Sequence, residues 1–194
     1  MNFIRCLQLP FHFEITGLQR DLDSVLSAPW TDHSNRWIYK GEWSGLALRN
    51  GSGNPADLDA NQVQGSTFIN TPLYGRCPYI QEVLTHFACP VGSVRFLKLA
   101  AGAAIEAHVD GGLCYEVGEA RVHIPVRTNP EVDFCLNGQR LVMREGSCWY
   151  INANMPHSVA NRSQADRIHL VIDFGVNDWL QAVFETNKDG ESAE

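Results

Sequence analysis

Residues 121–127 read Arg-Val-His-Ile-Pro-Val-Arg, and residues 167–174 read Arg-Ile-His-Leu-Val-Ile-Asp-Phe. Apolar residues hold the even positions of the first stretch, and the second follows nearly the same rule. Because strand side chains point alternately to opposite faces, each stretch predicts a strand with an apolar face and a face that carries Arg and His. The two polar faces line either solvent or one shared pocket, where arginine can bind a carboxylate at two points.

Similar short runs of period two recur on both sides of these stretches. They lie near 93–100, 120–127, 132–136, 140–144, 147–152 and 167–174. Turn residues separate them, for example Asn129-Pro130 and Asn137-Gly138. Many short strands in succession predict a mainly β domain, as an antiparallel sandwich, barrel or jelly roll, and argue against a parallel α/β sheet.

The first half of the chain carries two predicted helices. Thr16 and Gln19 have the spacing of a capping box, which predicts a helix start. Pro78 suits the first turn of a second helix, and Asn177 suits the cap of a short last helix. Residues 30–75 are aromatic and weakly periodic, so they form either a lid over a site or a few irregular strands.

The length and composition predict one domain. The chain has 194 residues, of which 44% are hydrophobic, enough for a single compact core. We therefore expect one domain over 1–194. It comprises a helical and aromatic part at 1–90, a β-rich core at 91–176 and a frayed polar tail at 185–194.

Charge and hydropathy exclude several classes of partner. The chain has 15 Lys and Arg against 22 Asp and Glu, a net charge of −7, without the basic footprint of a nucleic-acid-binding protein. Membrane spans need about 20 apolar residues, and no run approaches that length, nor do residues 1–13 resemble a secretory signal. The six cysteines have no regular spacing, which favours free thiols in a reducing compartment. We expect a cytoplasmic protein that binds neither nucleic acid nor membrane.

A candidate metal site follows the strand near 93–100. His108 and Asp110 are two residues apart, so in an extended segment both side chains face the same way. His157 follows the strand near 147–152, and a jelly roll can bring it beside the first pair. Two histidines and one carboxylate with open positions form the ligand set of non-haem Fe(II) oxygenases.

The span from Arg95 to Asp173 resembles the aspartyl/asparaginyl β-hydroxylase family of Fe(II)- and 2-oxoglutarate-dependent dioxygenases. The segments that carry the resemblance are Leu99-Ala100-Ala101-Gly102, His108-Val109-Asp110, Arg121-Val122-His123-Ile124-Pro125, Glu145-Gly146-Ser147-Cys148-Trp149, Pro156-His157-Ser158-Val159-Ala160-Asn161 and Arg167-Ile168-His169-Leu170-Val171-Ile172-Asp173. Several motifs in family order are more specific than a lone His-x-Asp.

The resemblance implies a fold and a set of site residues. The fold is a double-stranded β-helix, a cupin-like jelly roll, with flanking helices in the N-terminal half. The implied iron ligands are His108, Asp110 and His157. Arg167 is implied to bind the distal carboxylate of 2-oxoglutarate, and His123 to help hold this cosubstrate.

The implied reaction is hydroxylation of an aliphatic carbon of an amino acid with O2, Fe(II) and 2-oxoglutarate. The amino acid is free, within a peptide or bound to a carrier. Arg121 is implied near the substrate or cosubstrate, and Trp149 is placed either in the wall of the site or in the core. The carboxylate of Asp110 favours hydroxylation over halogenation, which needs that position vacant for chloride.

Two other functions remain open at the level of sequence. One is a cupin-like metalloenzyme that does not use 2-oxoglutarate. The other is a non-catalytic jelly roll whose Arg and His face binds a small anion. The pattern predicts neither the identity of the substrate nor the oligomeric state.

Overall fold

The computed structural model describes residues 3–60 and 62–187. Within these ranges the chain forms thirteen strands and three α-helices. The strands are β1 (Cys6–His12), β2 (Thr31–Asp32), β3 (Tyr39–Lys40), β4 (Trp43–Asn50), β5 (Ile69–Asn70), β6 (Val91–Leu99), β7 (Ala104–His108), β8 (Glu119–Arg127), β9 (Val132–Leu136), β10 (Gln139–Leu141), β11 (Ser147–Ile151), β12 (His157–Asn161) and β13 (Arg167–Gly175). The helices are α1 (Ile15–Val25), α2 (Pro78–Thr85) and α3 (Asp178–Asn187).

The strands form two antiparallel sheets. The larger sheet has the order β1-β11-β8-β13-β6-β4-β2, with β5 paired to β4. The smaller sheet has the order β10-β9-β12-β7-β3. From β6 to β13 successive strands alternate between the two sheets, apart from the β9–β10 hairpin within the smaller sheet, so this part of the chain winds as a double-stranded β-helix. The predicted mainly β jelly roll with flanking helices is confirmed.

The alternation in β8 and β13 divides the interior into two layers. Even-numbered residues, among them Val122, Ile124 and Leu170, pack with the helices in one apolar cluster. A second cluster lies between the sheets and includes Leu99 of β6 and Phe134 of β9. Arg121 and His123 of β8 and Arg167 of β13, all at odd-numbered positions, therefore face the space between the sheets.

The N-terminal half contributes more strand than the sequence predicts. Residues 30–75 contain four strands, and one of them, β4, is an inner strand of the larger sheet. This structure favours the strand alternative for that segment. Residues 43–50 are buried along almost their whole length, so their sequence lacks the alternation that marks a half-exposed strand.

The helix starts agree with the sequence in two of three cases. α2 begins at Pro78, and the Asn177 side chain accepts a hydrogen bond from the Leu180 N–H at the start of α3. The capping-box prediction for α1 is wrong, because Glu14 holds the cap position without a side-chain hydrogen bond. Gln19 instead donates to the Val126 carbonyl, so its amide joins α1 to β8.

The C-terminal end is described as far as Asn187. Residues 185–187 belong to α3, and the rest of the predicted frayed tail, 188–194, lies outside the described residues. In the described ranges, no helix combines the length and apolar character needed to cross a bilayer.

Candidate active site

A cavity between the two sheets collects most of the predicted site residues. Its walls come from both sheets and from the segment before β4. The lining residues are His33, Trp43, Arg95, Leu97, Ile105, His108, Asp110, Arg121, His123, Phe134, Ile151, His157, Val159, Arg167 and Val171. Among the described residues, Trp149 is not part of this lining.

Two short strands of the smaller sheet bring the candidate metal ligands together. His108 ends β7, His157 begins β12, and the two residues pair directly across the antiparallel register. Their ring centroids are 4.2 Å apart. Asp110 lies two residues past the end of β7, and its backbone N–H donates to the Ala153 carbonyl. One ligand atom from each of the three side chains lies within 4.8 Å of the others.

The protonation pattern of the two histidines suits a metal. His108 Nδ1 lies 2.9 Å from the Glu106 carbonyl, and His157 Nδ1 lies 3.0 Å from the Met155 carbonyl. A carbonyl only accepts, so each Nδ1 carries the proton and each Nε2 keeps its lone pair for a metal. Burial lowers the pKa of His157, which keeps the ring neutral. The three residues fit a two-histidine, one-carboxylate centre.

A buried ion network continues from the acidic ligand. Arg121 donates from Nη1 to Asp110 Oδ2. Its Nε and Nη2 donate to the two oxygens of Asp173 at 2.7 and 3.1 Å, and Arg95 Nη2 donates to Asp173 Oδ2 at 2.6 Å. Burial acts to raise the pKa of Asp173, but the charges of Arg121 and Arg95 outweigh it and lower that pKa below its usual value. Asp173 is therefore ionised between two arginines.

Arg167 lines the same cavity and has a different environment. It is 3% exposed and forms no salt bridge with the described residues. Its Nη2 lies 2.8 Å from His169 Nδ1, and its Nε has no hydrogen-bond partner within the described chain. Burial lowers the pKa of its guanidinium to about 9. A buried cation that is not paired with a carboxylate lowers the stability of the fold unless an anion binds to it. This position therefore suits an anionic ligand.

His123 lines the cavity, and His169 lies behind it in contact with both His123 and Arg167. The Nδ1 atoms of the two histidines are 3.3 Å apart, and the Nε2 atom of each ring is buried without a partner among the described residues. Burial, reinforced by the nearby Arg167 charge, lowers the pKa of both rings well below the usual value. His123 is thus a neutral side chain with an unused polar atom at the cavity wall.

The two predicted substrate contacts have unlike positions. Arg121 lines the cavity, but Asp110 and Asp173 already accept hydrogen bonds from its three guanidinium nitrogens. Trp149 is 9% exposed, packs in the cluster between the sheets and donates from Nε1 to Ser147 Oγ. The predicted substrate contacts of both residues stay predictions.

Sequence reasoning missed Arg95 in the cavity wall, and it did not single out His33 or Trp43, which belong to the 30–75 segment expected as a lid or as irregular strands. A lone arginine in the apolar run of β6 was an available signal for Arg95. His33 stacks on Trp43 with ring centroids 3.6 Å apart, and burial followed by the Arg95 charge lowers the His33 pKa to about 4. Nothing in the weakly periodic segment around these two residues marks them as neighbours.

Comparison with known proteins agrees with this geometry. A family model described as aspartyl/asparaginyl beta-hydroxylase matches residues 15–176. The chain belongs to this family. The match includes all three candidate metal ligands and Arg167, so the predicted family is confirmed.

Two curated relatives of this hydroxylase-family chain are proline hydroxylases. L-proline cis-4-hydroxylase of Rhizobium meliloti (strain 1021) is 32% identical over 166 residues, which are 84% of this chain and 58% of that protein. L-proline cis-3-hydroxylase 1 of a Streptomyces species is 25% identical over 161 residues, which are 80% and 55% of the two chains. The chain thus spans a little more than half the length of these relatives.

Solved structures share the fold of this family member at low identity. An oxidoreductase of the 2OG-Fe(II) oxygenase family from Burkholderia pseudomallei has a TM-score of 0.58 and 13% identity over 88% of this chain and 85% of that one. HygX from Streptomyces hygroscopicus, solved with nickel and 2-oxoglutarate, has a TM-score of 0.54 and 8% identity over 89% and 83%. These likenesses support the jelly-roll fold.

Proposed function

We propose that this chain is an Fe(II)- and 2-oxoglutarate-dependent dioxygenase that hydroxylates an aliphatic carbon of an amino acid. The observation that carries the proposal is the convergence of His108, Asp110 and His157 in one cavity with Arg167. The metal triad and the buried unpaired cation provide places for a ferrous ion and for a dicarboxylate. Membership of the hydroxylase family supports the same reaction.

The site residues have separate tasks in this proposal. His108, Asp110 and His157 hold the iron. Arg167 binds the distal carboxylate of 2-oxoglutarate, and His123 borders the same ligand. When bound, iron lets O2 oxidise 2-oxoglutarate to succinate and carbon dioxide while the second oxygen atom converts a substrate C–H into C–OH. The protein holds the iron, 2-oxoglutarate and the substrate in position and keeps water out of the cavity.

The substrate is proposed to be a small amino acid, free or carried on a peptide or carrier. Two relatives are named for hydroxylation of L-proline, which supports a free amino acid. Arg121 and Trp149 are the proposed substrate contacts. We also place the chain in the cytoplasm, which the irregular spacing of the six cysteines supports.

An assay of product formation tests this function. Purified protein is incubated with Fe(II), O2, 2-oxoglutarate and each member of an amino-acid and peptide panel. We expect succinate together with a product 16 Da heavier than one substrate, and loss of both in Arg167→Ala. Iron binding without any 2-oxoglutarate turnover would indicate the cupin-like metalloenzyme, and anion binding without iron would indicate the non-catalytic jelly roll.

A further inference from the structure

Asp173 is a buried carboxylate that the proposed reaction does not use directly. It is fully buried on β13, where it pairs across the strands with Arg121 of β8. It accepts three hydrogen bonds, two from Arg121 and one from Arg95. Arg95 is anchored in turn, because its Nη1 donates to the Leu58 carbonyl at 2.8 Å. The bridging carboxylate therefore holds two arginines in fixed directions.

The surrounding charges balance only when Asp173 is present. Arg95 and Arg121 are two buried cations, and Asp173 and Asp110 are the two carboxylates that contact them. Charges removed from water need such pairing and well-formed hydrogen bonds. Asp173 is the inner member of this set, whereas Asp110 is 31% exposed at the cavity.

The network also makes the two oxygens of Asp110 unequal. Asp173 occupies the Nε and Nη2 edge of Arg121, which leaves Nη1 for Asp110 Oδ2. Asp110 Oδ1 is the oxygen that lies 3.7 Å from His108 Nε2. One oxygen is thus held by the protein, and the other remains on the side of the histidine nitrogen that is free to bind a metal.

We propose that Asp173 is a positioning residue of the metal centre: it fixes Arg121, which turns Asp110 so that Oδ1 alone faces the ion. This inference rests on the proposed function, because it needs the metal at His108, Asp110 and His157. Residues that orient a ligand without touching the metal commonly change its affinity by about 10- to 100-fold.

Cobalt(II) binding to the metal-free protein tests this role without turnover. Asp173→Asn keeps the size of the side chain but loses the charge that aligns Arg121. We expect its Co(II) affinity to fall by about 10- to 100-fold, with a changed visible spectrum of the bound Co(II). Asp21→Asn is the matched control, since Asp21 is 1% exposed and accepts from the Ile80 N–H on the helical side. Its Co(II) affinity and spectrum should equal those of the wild type.

A second variant keeps the test valid if Asp173→Asn does not fold. Arg95→Gln combined with Asp173→Asn restores the balance of charge but leaves Arg121 without its bidentate partner. Weak Co(II) binding in the double variant supports positioning by Asp173. Wild-type affinity and spectrum in the double variant would overturn it, because charge balance would then be the whole effect.

A third variant separates this inference from the proposed function. His108→Ala must lose Co(II) binding if the metal lies where we propose. If His108→Ala binds Co(II) as the wild type does, the proposed centre is wrong and the inference falls with it. If His108→Ala fails to bind while the Asp173 variants bind normally, only the positioning role is wrong.

Discussion

Arg167 shows how a single residue can be selected for binding at the expense of stability. Its guanidinium is buried, and its described polar neighbour is the neutral ring of His169. The face of the Phe134 ring lies 6.0 Å away and gives weak cation–π attraction. Without an anion these contacts do not offset the cost of removing the charge from water. The residue is favourable only when a carboxylate is bound.

The substitution Arg167→Met should therefore separate stability from ligand binding. We expect the ligand-free protein to gain about 1 to 3 kcal/mol in free energy of unfolding, because a buried unpaired charge is replaced by an apolar side chain. The affinity for 2-oxoglutarate should fall by about 10- to 100-fold or more, the value of a charged hydrogen bond or two. Urea unfolding and calorimetric titration measure the two effects.

Arg127→Met serves as the control for this prediction. Arg127 lies at the end of β8, 37% exposed, and pairs with Asp23 at the surface. Its loss should change stability by less than about 1 kcal/mol and leave 2-oxoglutarate binding intact. A loss of stability in Arg167→Met would contradict the idea of an unsatisfied charge.

At the level of single residues, the alternation of polar and apolar side chains along a strand predicted more of the cavity lining than the spacing of short motifs did. The period of two placed Arg121, His123 and Arg167 on one face, and all three line the cavity. The link between Asp173 and Arg95 was not predictable, because it depends on which strands are neighbours and in what register. A single sequence gives the face of a side chain but not its partner on another strand.

Two short strands carry the two histidines of the metal site, and side-chain hydrogen bonds fix the end of β12. Asn161 at the end of β12 is 1% exposed. Its amide donates to the carbonyls of Leu99, Ala100 and Ala165 at 2.8 to 3.1 Å. These bonds tie β12 to the end of β6 just before β7. The same side chain therefore helps to set His157 opposite His108.

The substitution Asn161→Ala should be costly for this part of the fold. The buried Leu99 carbonyl and the two other, partly buried carbonyl contacts of Asn161 would lose a donor, so we expect a loss of about 2 to 4 kcal/mol in free energy of unfolding. Asn177→Ala removes the helix-capping bond from Leu180 and one exposed bond to the Ala88 carbonyl, and it should cost about 1 kcal/mol. Equal losses in the two variants, measured by urea unfolding, would show that the Asn161 network does not hold β12.

Strong alternation predicted β8 and β13, whereas β4 and β12 were not predicted. β8 and β13 were predicted because one face is apolar and the other polar. β12 was not among the predicted strands, because Pro156 directly precedes it and proline is typical of turns. β4 is buried on both faces and has Gly45 in its middle. Its place in the larger sheet depends on tertiary pairing, which local pattern does not encode.

At the scale of the whole molecule, buried histidines make the fold sensitive to acid. Burial lowers the pKa of His33 to about 4, and it lowers the pKa of His123 and His169 well below the usual value. The unfolded chain binds protons at these rings near pH 6.5, whereas the folded chain does not until the pH is lower. The neutral rings thus make their full contribution to the free energy of unfolding above about pH 6.5. This contribution declines as the pH falls below that value.

The metal-free protein should unfold more easily at pH 5.5 than at pH 7.5. The free energy of unfolding should fall with decreasing pH by up to about 1.4 kcal/mol per pH unit for each proton that only the unfolded chain binds. His33→Phe keeps an aromatic ring against Trp43 and should reduce this dependence on pH. Urea unfolding at a series of pH values gives the result, and a stability that stays constant from pH 7.5 to 5.5 would argue against neutral buried rings.

The central claim is that His108 and His157 of the smaller sheet, together with Asp110 just past β7, hold one ferrous ion with Arg167 nearby. Anaerobic titration with Fe(II), followed by addition of 2-oxoglutarate, measures it most directly. We predict one Fe(II) per chain and a visible absorption band when the 2-oxo acid chelates the ion, with neither in His157→Ala. Wild-type iron binding in His157→Ala, or an iron-loaded protein that gives no band with 2-oxoglutarate, would contradict the account.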